Sequence, residues 1–304
     1  MSVGLPHLAL LFNAFIWGVS WVPYKWLEAQ GLSILWATAI CYVAASIALS
    51  LARPQALSAL IAHKSLWIMG LFYGLTNTCF NWALTLGDVV RVVLLFYLMP
   101  LWSALFARLL LAERLTVEGW ARIGLALAGA VVVLGAASET SASALWSSSF
   151  FADTLSVAGG LFFGLANVLL RSQQGSNSAE RTLAMFIGSG SVPFLMMLAA
   201  SAAGLYAAGN PLQAAFEALW VLPLLALGLA CANYSLQFGG SRLPAQTTSL
   251  IMLSEIVFAA VSAWIIVGKQ MTASEWVGGA MIICAAIWAS LRPSSGARGS
   301  PPRT

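Results

Sequence analysis

The sequence predicts an all-α polytopic membrane protein of ten transmembrane helices, and three observations carry that prediction. Of the 304 residues, 60% are hydrophobic and only 8% charged, so a soluble domain built from them would lack a polar surface to face water. Ten apolar runs follow one another along the chain, each near the roughly 20 residues that a helix needs to cross a bilayer. The basic residues between the runs sort by side. In hydrocarbon every backbone N–H and C=O must be satisfied within the protein, so such runs become helices. A β-barrel would need strands of about ten residues alternating apolar and polar positions, whereas these runs are apolar all round.

The first run, 8–27, holds Asn13, Trp17, Ser20 and Pro23. It lacks a basic leading region and a small-residue cleavage site, so it is expected to be a span and not a signal peptide. The second is 33–51, and the third, 65–86, places Asn77 and Asn81 four residues apart on one face. The fourth, 92–112, carries Tyr97 and, in its middle, Pro100. That proline removes the hydrogen bond to the Phe96 carbonyl, so Pro100 and Pro23 are the expected hinges. The fifth, 118–137, offers Gly124 and Ala128 for close helix packing.

After the Ser-rich stretch 138–149, the sixth run, 151–171, contains Phe163 and Asn167, and the seventh is 182–204 with Pro193. The eighth, 217–238, holds Pro223, Asn233, Tyr234 and Gln237, repeating the amide spacing of the third. The ninth, 246–268, bears Ser254 and Glu255, and the tenth, 274–291, has Gly278 and Gly279 for packing. The remainder, 293–304, is rich in Pro, Ser, Gly and Arg and is expected to be a disordered tail.

With the amino terminus inside, that side carries Arg53, Lys64, Arg108, Arg114, Arg122, Arg171, Arg181, Arg242, Arg292, Arg298 and Arg303. The other side keeps only Lys25, Arg91 and Lys269, which predicts both termini cytoplasmic. The net charge of +4 follows from this asymmetry and argues for no nucleic-acid partner. The four cysteines all fall inside runs, with neither a disulfide framework nor metal-ligand spacing, and read as small packing residues. No cofactor motif is present.

The chain also repeats itself. Trp17-Gly18 followed by Lys25 matches Phe163-Gly164 followed by Arg171 at an offset of 146. Gly74-Leu75 with Phe80 matches Gly228-Leu229 with Tyr234 at 154, and Thr116 with Trp120 matches Thr272 with Trp276 at 156. The units are 1–137 and 151–292, joined by an external segment 138–150 and followed by the tail. Two copies of a five-helix unit laid head to tail must lie upside down to one another. Inverted repeats of this kind recur in secondary transporters.

On these residues the chain resembles the drug/metabolite transporter superfamily with its duplicated EamA units, over about residues 5–292. The likeness rests on Trp17-Gly18, Leu98-Met99-Pro100, Glu113-Arg114-Leu115-Thr116 and Gly124. The second copy departs from it, with Lys269-Gln270-Met271-Thr272 in place of the acidic motif and Glu255 where a proline matching Pro100 is expected. The Trp-rich composition and Ser254-Glu255 look most like the YddG-type exporters of aromatic amino acids. The resemblance implies an inner-membrane, multi-pass carrier with a cavity among helices one, three, four, six, eight and nine, working by alternating access.

Any single buried amide is accounted for by an interhelical hydrogen bond of about 0.6 kcal/mol. Their concentration in a few helices, with helices two, five, seven and ten nearly apolar, favours a shared cavity instead. The expected lining is Trp17, Asn77, Asn81, Tyr97, Phe163, Asn167, Asn233, Tyr234, Gln237 and Glu255. Core packing and lipid contact explain aromatic rings equally well. Glu255, the deepest acid, admits three roles: attraction of a substrate ammonium, a protonation switch, or a neutral acid bonded to a neighbouring helix.

An enzyme fits poorly, because His7 and His63 lie outside the runs and only one carboxylate is deep. The expectation is an exporter of aromatic or apolar amino acids and related metabolites, monomeric or a homodimer. A proton-coupled efflux carrier for cationic compounds is the alternative, and a channel is a further one.

Overall fold

A computed structural model describes residues 4–86, 89–112, 116–137, 150–173, 175–203, 216, 218–268 and 272–291. The Ser-rich connection, the tail, Glu113-Arg114-Leu115 and Lys269-Gln270-Met271 lie outside the described residues. Within the described residues the chain forms helices and no strand. In order they are α1 (Leu5–Val19), α2 (Trp21–Ala29), α3 (Ile34–Ala52), α4 (Pro54–Ala62), α5 (Lys64–Leu86), α6 (Val89–Phe96) and α7 (Met99–Leu111). There follow α8 (Val117–Ala137), α9 (Phe150–Ser172), α10 (Ser178–Ala202), α11 (Val221–Gly240), α12 (Ala245–Met252), α13 (Ser254–Val267) and α14 (Ala273–Leu291).

Six stretches are long and apolar enough to cross a membrane: Leu5–Ala29, Ile34–Ala52, Phe150–Ser172, Ser178–Ala202, Val221–Gly240 and Ala245–Ile266. A seventh is the pair α4 and α5, bent by 101° at their junction, and Met99–Leu111 and Trp276–Trp288 are shorter apolar helices. Trp67, Trp120, Trp220 and Trp276, each near the end of an apolar run, are exposed as rings that anchor a helix end at the membrane interface would be, and Trp146 lies outside the described residues.

Three runs expected as continuous helices are interrupted, each for a local chemical reason. The Ser20 hydroxyl bonds the Trp17 carbonyl at 2.8 Å, and the Ser254 hydroxyl bonds the Ile251 carbonyl at 2.6 Å. In both cases a side chain supplies a donor that the backbone ladder would otherwise provide. Pro100 is the second residue of α7, where its missing N–H leaves no helical bond unmade. Pro23 stands in the first turn of α2 for the same reason. The segment between the second and third runs, read as a loop, forms α4, opened by Pro54 at its first position.

The interruptions at α6–α7 and α12–α13 are counterparts. Pro100 and Glu255 each occupy the second residue of the second half-helix, at an offset of 155. The paired Trp17-Gly18 and Phe163-Gly164 motifs also find their reason. A Cβ on Gly18 would lie 2.6 Å from the Phe258 Cβ and 2.7 Å from the Glu255 carbonyl oxygen. One on Gly164 would lie 2.8 Å from the Trp102 Cβ. Each glycine seats its helix on the second half of a broken helix in the other half of the chain, α1 on α13 and α9 on α7. The contact between α8 and α14 is made at Gly129, facing the Gly278 carbonyl, and not at Gly124, which faces open space. Cys41 and Cys79 are buried, whereas Cys231 and Cys284 are exposed on the outer surface.

Candidate functional site

A central cavity of about 60 Å³ lies where the broken helices meet α1, α5, α9, α10 and α11. It has room for a few water molecules, whereas pockets that hold small organic ligands span about 300–1,000 Å³. Its walls are of two kinds. One is aromatic: Phe80 and Phe96 pack with ring centroids 4.3 Å apart and planes tilted by 43°, Phe96 meets Phe163 at 6.1 Å, and Phe163 meets Tyr73 edge-on at 6.4 Å. Trp17 adds a further ring to the lining. The other wall is polar and consists of Thr76, Asn77, Asn233 and Glu255.

The amides are held by a pattern that repeats between the halves. Asn77 Nδ2 donates to Ser189 Oγ at 3.0 Å, and Asn81 Nδ2 donates to Thr38 Oγ1 at 3.0 Å. Asn233 Nδ2 donates to the Tyr42 hydroxyl at 2.8 Å, and Gln237 Nε2 to the Met185 sulfur at 3.1 Å. An offset of 156 carries Asn77 and Asn81 onto Asn233 and Gln237, while 147 carries Thr38 and Tyr42 onto Met185 and Ser189. The bonds between α5, α3 and α10 are thus reproduced between α11, α10 and α3. The amide oxygens of Asn233 and Gln237 and the Tyr73 hydroxyl are buried without a hydrogen-bond partner among the described residues, so the region around the cavity keeps unsatisfied polar capacity.

Glu255 sits in the first turn of α13, where aligned backbone N–H groups favour a carboxylate. Its polar neighbour is Tyr97, in the turn between α6 and α7. The two broken helices therefore meet each other through an acid and a phenol beside the cavity.

Of the ten expected lining residues, Trp17, Asn77, Phe163, Asn233 and Glu255 border this cavity. Tyr97 is buried next to Glu255 and is not part of the lining. Asn81 and Gln237 are one turn away, and Asn167 bonds Ser249 at 3.5 Å, tying α9 to α12. Tyr234 points elsewhere: it is 46% exposed and borders a second pocket at one end of the bundle. Tyr234 shares its segment with Asn233 and Gln237, but the 154 offset that pairs it with Phe80 is not the register of the fold. At the observed 156 the counterpart of Phe80 is Leu236, and both line the cavity. A two-residue error turns a side chain about 200° around a helix. Helices two and seven, read as nearly apolar, supply Thr38, Tyr42, Met185 and Ser189 to the network. Tyr73, Phe96, Met99 and Met252 also line the cavity, and only their periodicity relative to the amides could have revealed them.

The two helix pairs that correspond under this repeat are packed differently. Between α5 and α10 the backbones touch: a Cβ on Gly188 would lie 1.9 Å from the Gly70 carbonyl oxygen, and one on Gly74 would lie 2.3 Å from that of Gly188. Between α11 and α3 side chains intervene, with Cys41 Sγ 3.7 Å from the Leu222 carbonyl oxygen.

A family model described as the EamA-like transporter family matches residues 4–135 and again 150–291. A crystal structure of another protein aligns with a TM-score of 0.72 over 94% of this chain and 96% of that one, at 21% identity, a likeness that shows the fold alone. No curated protein sequence matches the chain.

Proposed function

The chain belongs to the EamA-like transporter family, and from that premise we propose that it exports aromatic and other apolar amino acids and related metabolites, in the manner of the YddG-type carriers. Members of the family are transporters of small molecules and not enzymes, and the chain is a multi-pass membrane protein. In this reading it crosses the inner membrane ten times with both termini cytoplasmic, as two inverted five-helix halves, 1–137 and 151–292. The eleven-to-three distribution of basic residues supports the orientation.

The observation that carries the substrate class is the pairing of chemistries around one cavity. Trp17, Phe80, Phe96 and Phe163 offer faces and edges to a flat apolar group, each good contact contributing about 0.5–1.5 kcal/mol. In the same lining Asn77, Asn233 and Glu255 offer the donors, acceptors and negative charge that an amino acid's carboxylate and ammonium require. The ten-residue lining set from the sequence stays in this proposal with its roles divided. The five cavity residues contact the solute, while Asn81, Asn167, Gln237 and Tyr97 position them. Tyr234 lines the second pocket, away from the solute.

The mechanism is alternating access by rocking of the two halves. The unequal packing of α5 on α10 and of α11 on α3 supports it, because exchanging the two arrangements would open the other face of the molecule. A cavity of about 60 Å³ fits a closed intermediate that must widen to admit a solute. Pro23 and Pro100, at helix starts beside interruptions, are the hinges. Transport runs down the solute gradient without proton coupling, since Glu255 has no relay of further acids along the cavity among the described residues. The chain acts alone or as a homodimer.

Labelled Phe, Trp, Thr and a quaternary ammonium compound, each competed against the others in proteoliposomes, test the assignment. Saturable uptake of Phe and Trp with mutual competition is expected. Competition confined to cationic compounds would transfer the site to a cationic-drug efflux carrier, a reading that Glu255 in the cavity wall also serves.

A further inference from the structure

We propose that the second pocket, at the end of the bundle where α3 meets α4, α9 approaches α10 and α11 turns into α12, binds a phosphoryl group. The source is an anionic phospholipid headgroup or free phosphate. The site is separate from the central cavity and does not depend on the substrate assigned there.

The pocket is large, about 870 Å³, and its lining includes Arg53, Arg171, Arg181 and Arg242 but no acidic residue among the described residues. Three of these arginines converge on one serine. Arg171 Nη1 donates to the Ser241 carbonyl at 3.0 Å, Arg181 Nη2 to the Ser241 hydroxyl at 3.1 Å, and Arg242 Nη1 to the same hydroxyl at 3.4 Å. Arg181 is only 2% exposed. Its bonds otherwise go to neutral groups, namely the carbonyls of Gln173, Ser176 and Gln237 and the Ser178 hydroxyl, while its buried Nε has no partner among the described residues. The nearest acid, Glu180, is engaged in the cap of α10, accepting from Asn177 N and Nδ2. The Arg53 guanidinium has no partner among the described residues.

Buried or crowded cations of this kind are ordinarily accompanied by an anion. The planar fork of arginine matches the oxygen geometry of phosphate. The depth of the pocket selects the level at which that anion is met. Helix α4, which contributes Gln55 to the lining, runs at 101° to the apolar helix α5. A helix perpendicular to a span lies along the membrane surface, so the pocket opens at headgroup height, where basic pockets between helices take anionic headgroups.

The test uses the purified, delipidated full-length protein in a neutral detergent, with thermal unfolding followed by tryptophan fluorescence. Dioleoylphosphatidylglycerol is expected to raise Tm saturably and dioleoylphosphatidylcholine to leave it unchanged, with millimolar inorganic phosphate competing. That pattern assigns the pocket to lipid headgroups. A saturable rise with inorganic phosphate and none with the lipid assigns it to free phosphate, again at this site. The double variant Arg53→Gln/Arg242→Gln removes two exposed side chains and spares Arg181, whose many bonds support the fold. It is expected to keep the wild-type Tm without additive and to raise the half-saturating concentration at least tenfold. Equal responses to the two lipids, no response to either the glycerol lipid or phosphate, or an unchanged response in the double variant would each overturn the proposal.

Discussion

Replacing Glu255 by Gln removes one charge at the start of α13 and leaves the side chain its shape. If the carboxylate receives the substrate ammonium, the variant loses a charge-assisted hydrogen bond, which contributes about 1.5–3 kcal/mol. At about 1.4 kcal/mol per factor of ten, KM for phenylalanine should rise roughly tenfold to a hundredfold. The Tyr97 hydroxyl, the neighbour of Glu255, can bond the new amide, so the fold should be retained. The assay is initial uptake of labelled phenylalanine into proteoliposomes, with 3-phenylpropionate, which lacks the ammonium, as competitor. The expected result is a large loss for phenylalanine and an unchanged inhibition constant for 3-phenylpropionate. In the wild type KM should rise as pH falls and the carboxylate takes up a proton, and in the variant that dependence should vanish. A KM for phenylalanine within twofold of wild type, or equal weakening of the two compounds, would refute the reasoning.

Gly188→Ala places a methyl where only 1.9 Å separates it from the Gly70 carbonyl oxygen. Overpacking of this kind costs about 1–3 kcal/mol, so Tm should fall and the α5–α10 contact should open; unaltered Tm and uptake would contradict the close packing. Trp17→Ala and Phe163→Ala each remove a ring contact of about 0.5–1.5 kcal/mol, and KM for tryptophan should rise about twofold to tenfold in both, while Tyr234→Ala leaves it unchanged. For coupling, a pH gradient imposed on proteoliposomes should drive no uptake above the equilibrium level. If it does, and Glu255→Gln abolishes that uptake with counterflow intact, the uniport reading fails.

Much of the architecture is legible in the sequence because lipid enforces it. The apolar runs, the Trp17-Gly18 and Phe163-Gly164 motifs and the paired amides at i and i+4 are local patterns with direct structural causes. The breaks were only half legible. Pro100 announces one through its missing N–H, but Glu255 in the corresponding place carries no backbone signature, and Ser20 and Ser254 act through hydroxyl bonds that require the fold. Apolar helices also resemble one another when slid along their length. The glycine match at 154 is therefore as good on paper as the amide match at 156, and sharing a segment with Asn233 and Gln237 does not tell Tyr234 from Leu236, which lines the cavity. Arg53, Arg171, Arg181 and Arg242 served in the sequence only as markers of membrane side. Their convergence on one pocket brings together residues as far apart in sequence as Arg53 and Arg242.

The central claim is that two like halves exchange their packing around one cavity, and distance measurement between spin labels tests it most directly. Labels at Leu71 and Phe194 report on α5 and α10, and labels at Ile47 and Leu227 on α3 and α11, all at exposed positions. The expected result in lipid nanodiscs is two distance populations for each pair, with added phenylalanine shifting the two pairs in opposite directions. A single distance for both pairs, unchanged by phenylalanine, would contradict the account.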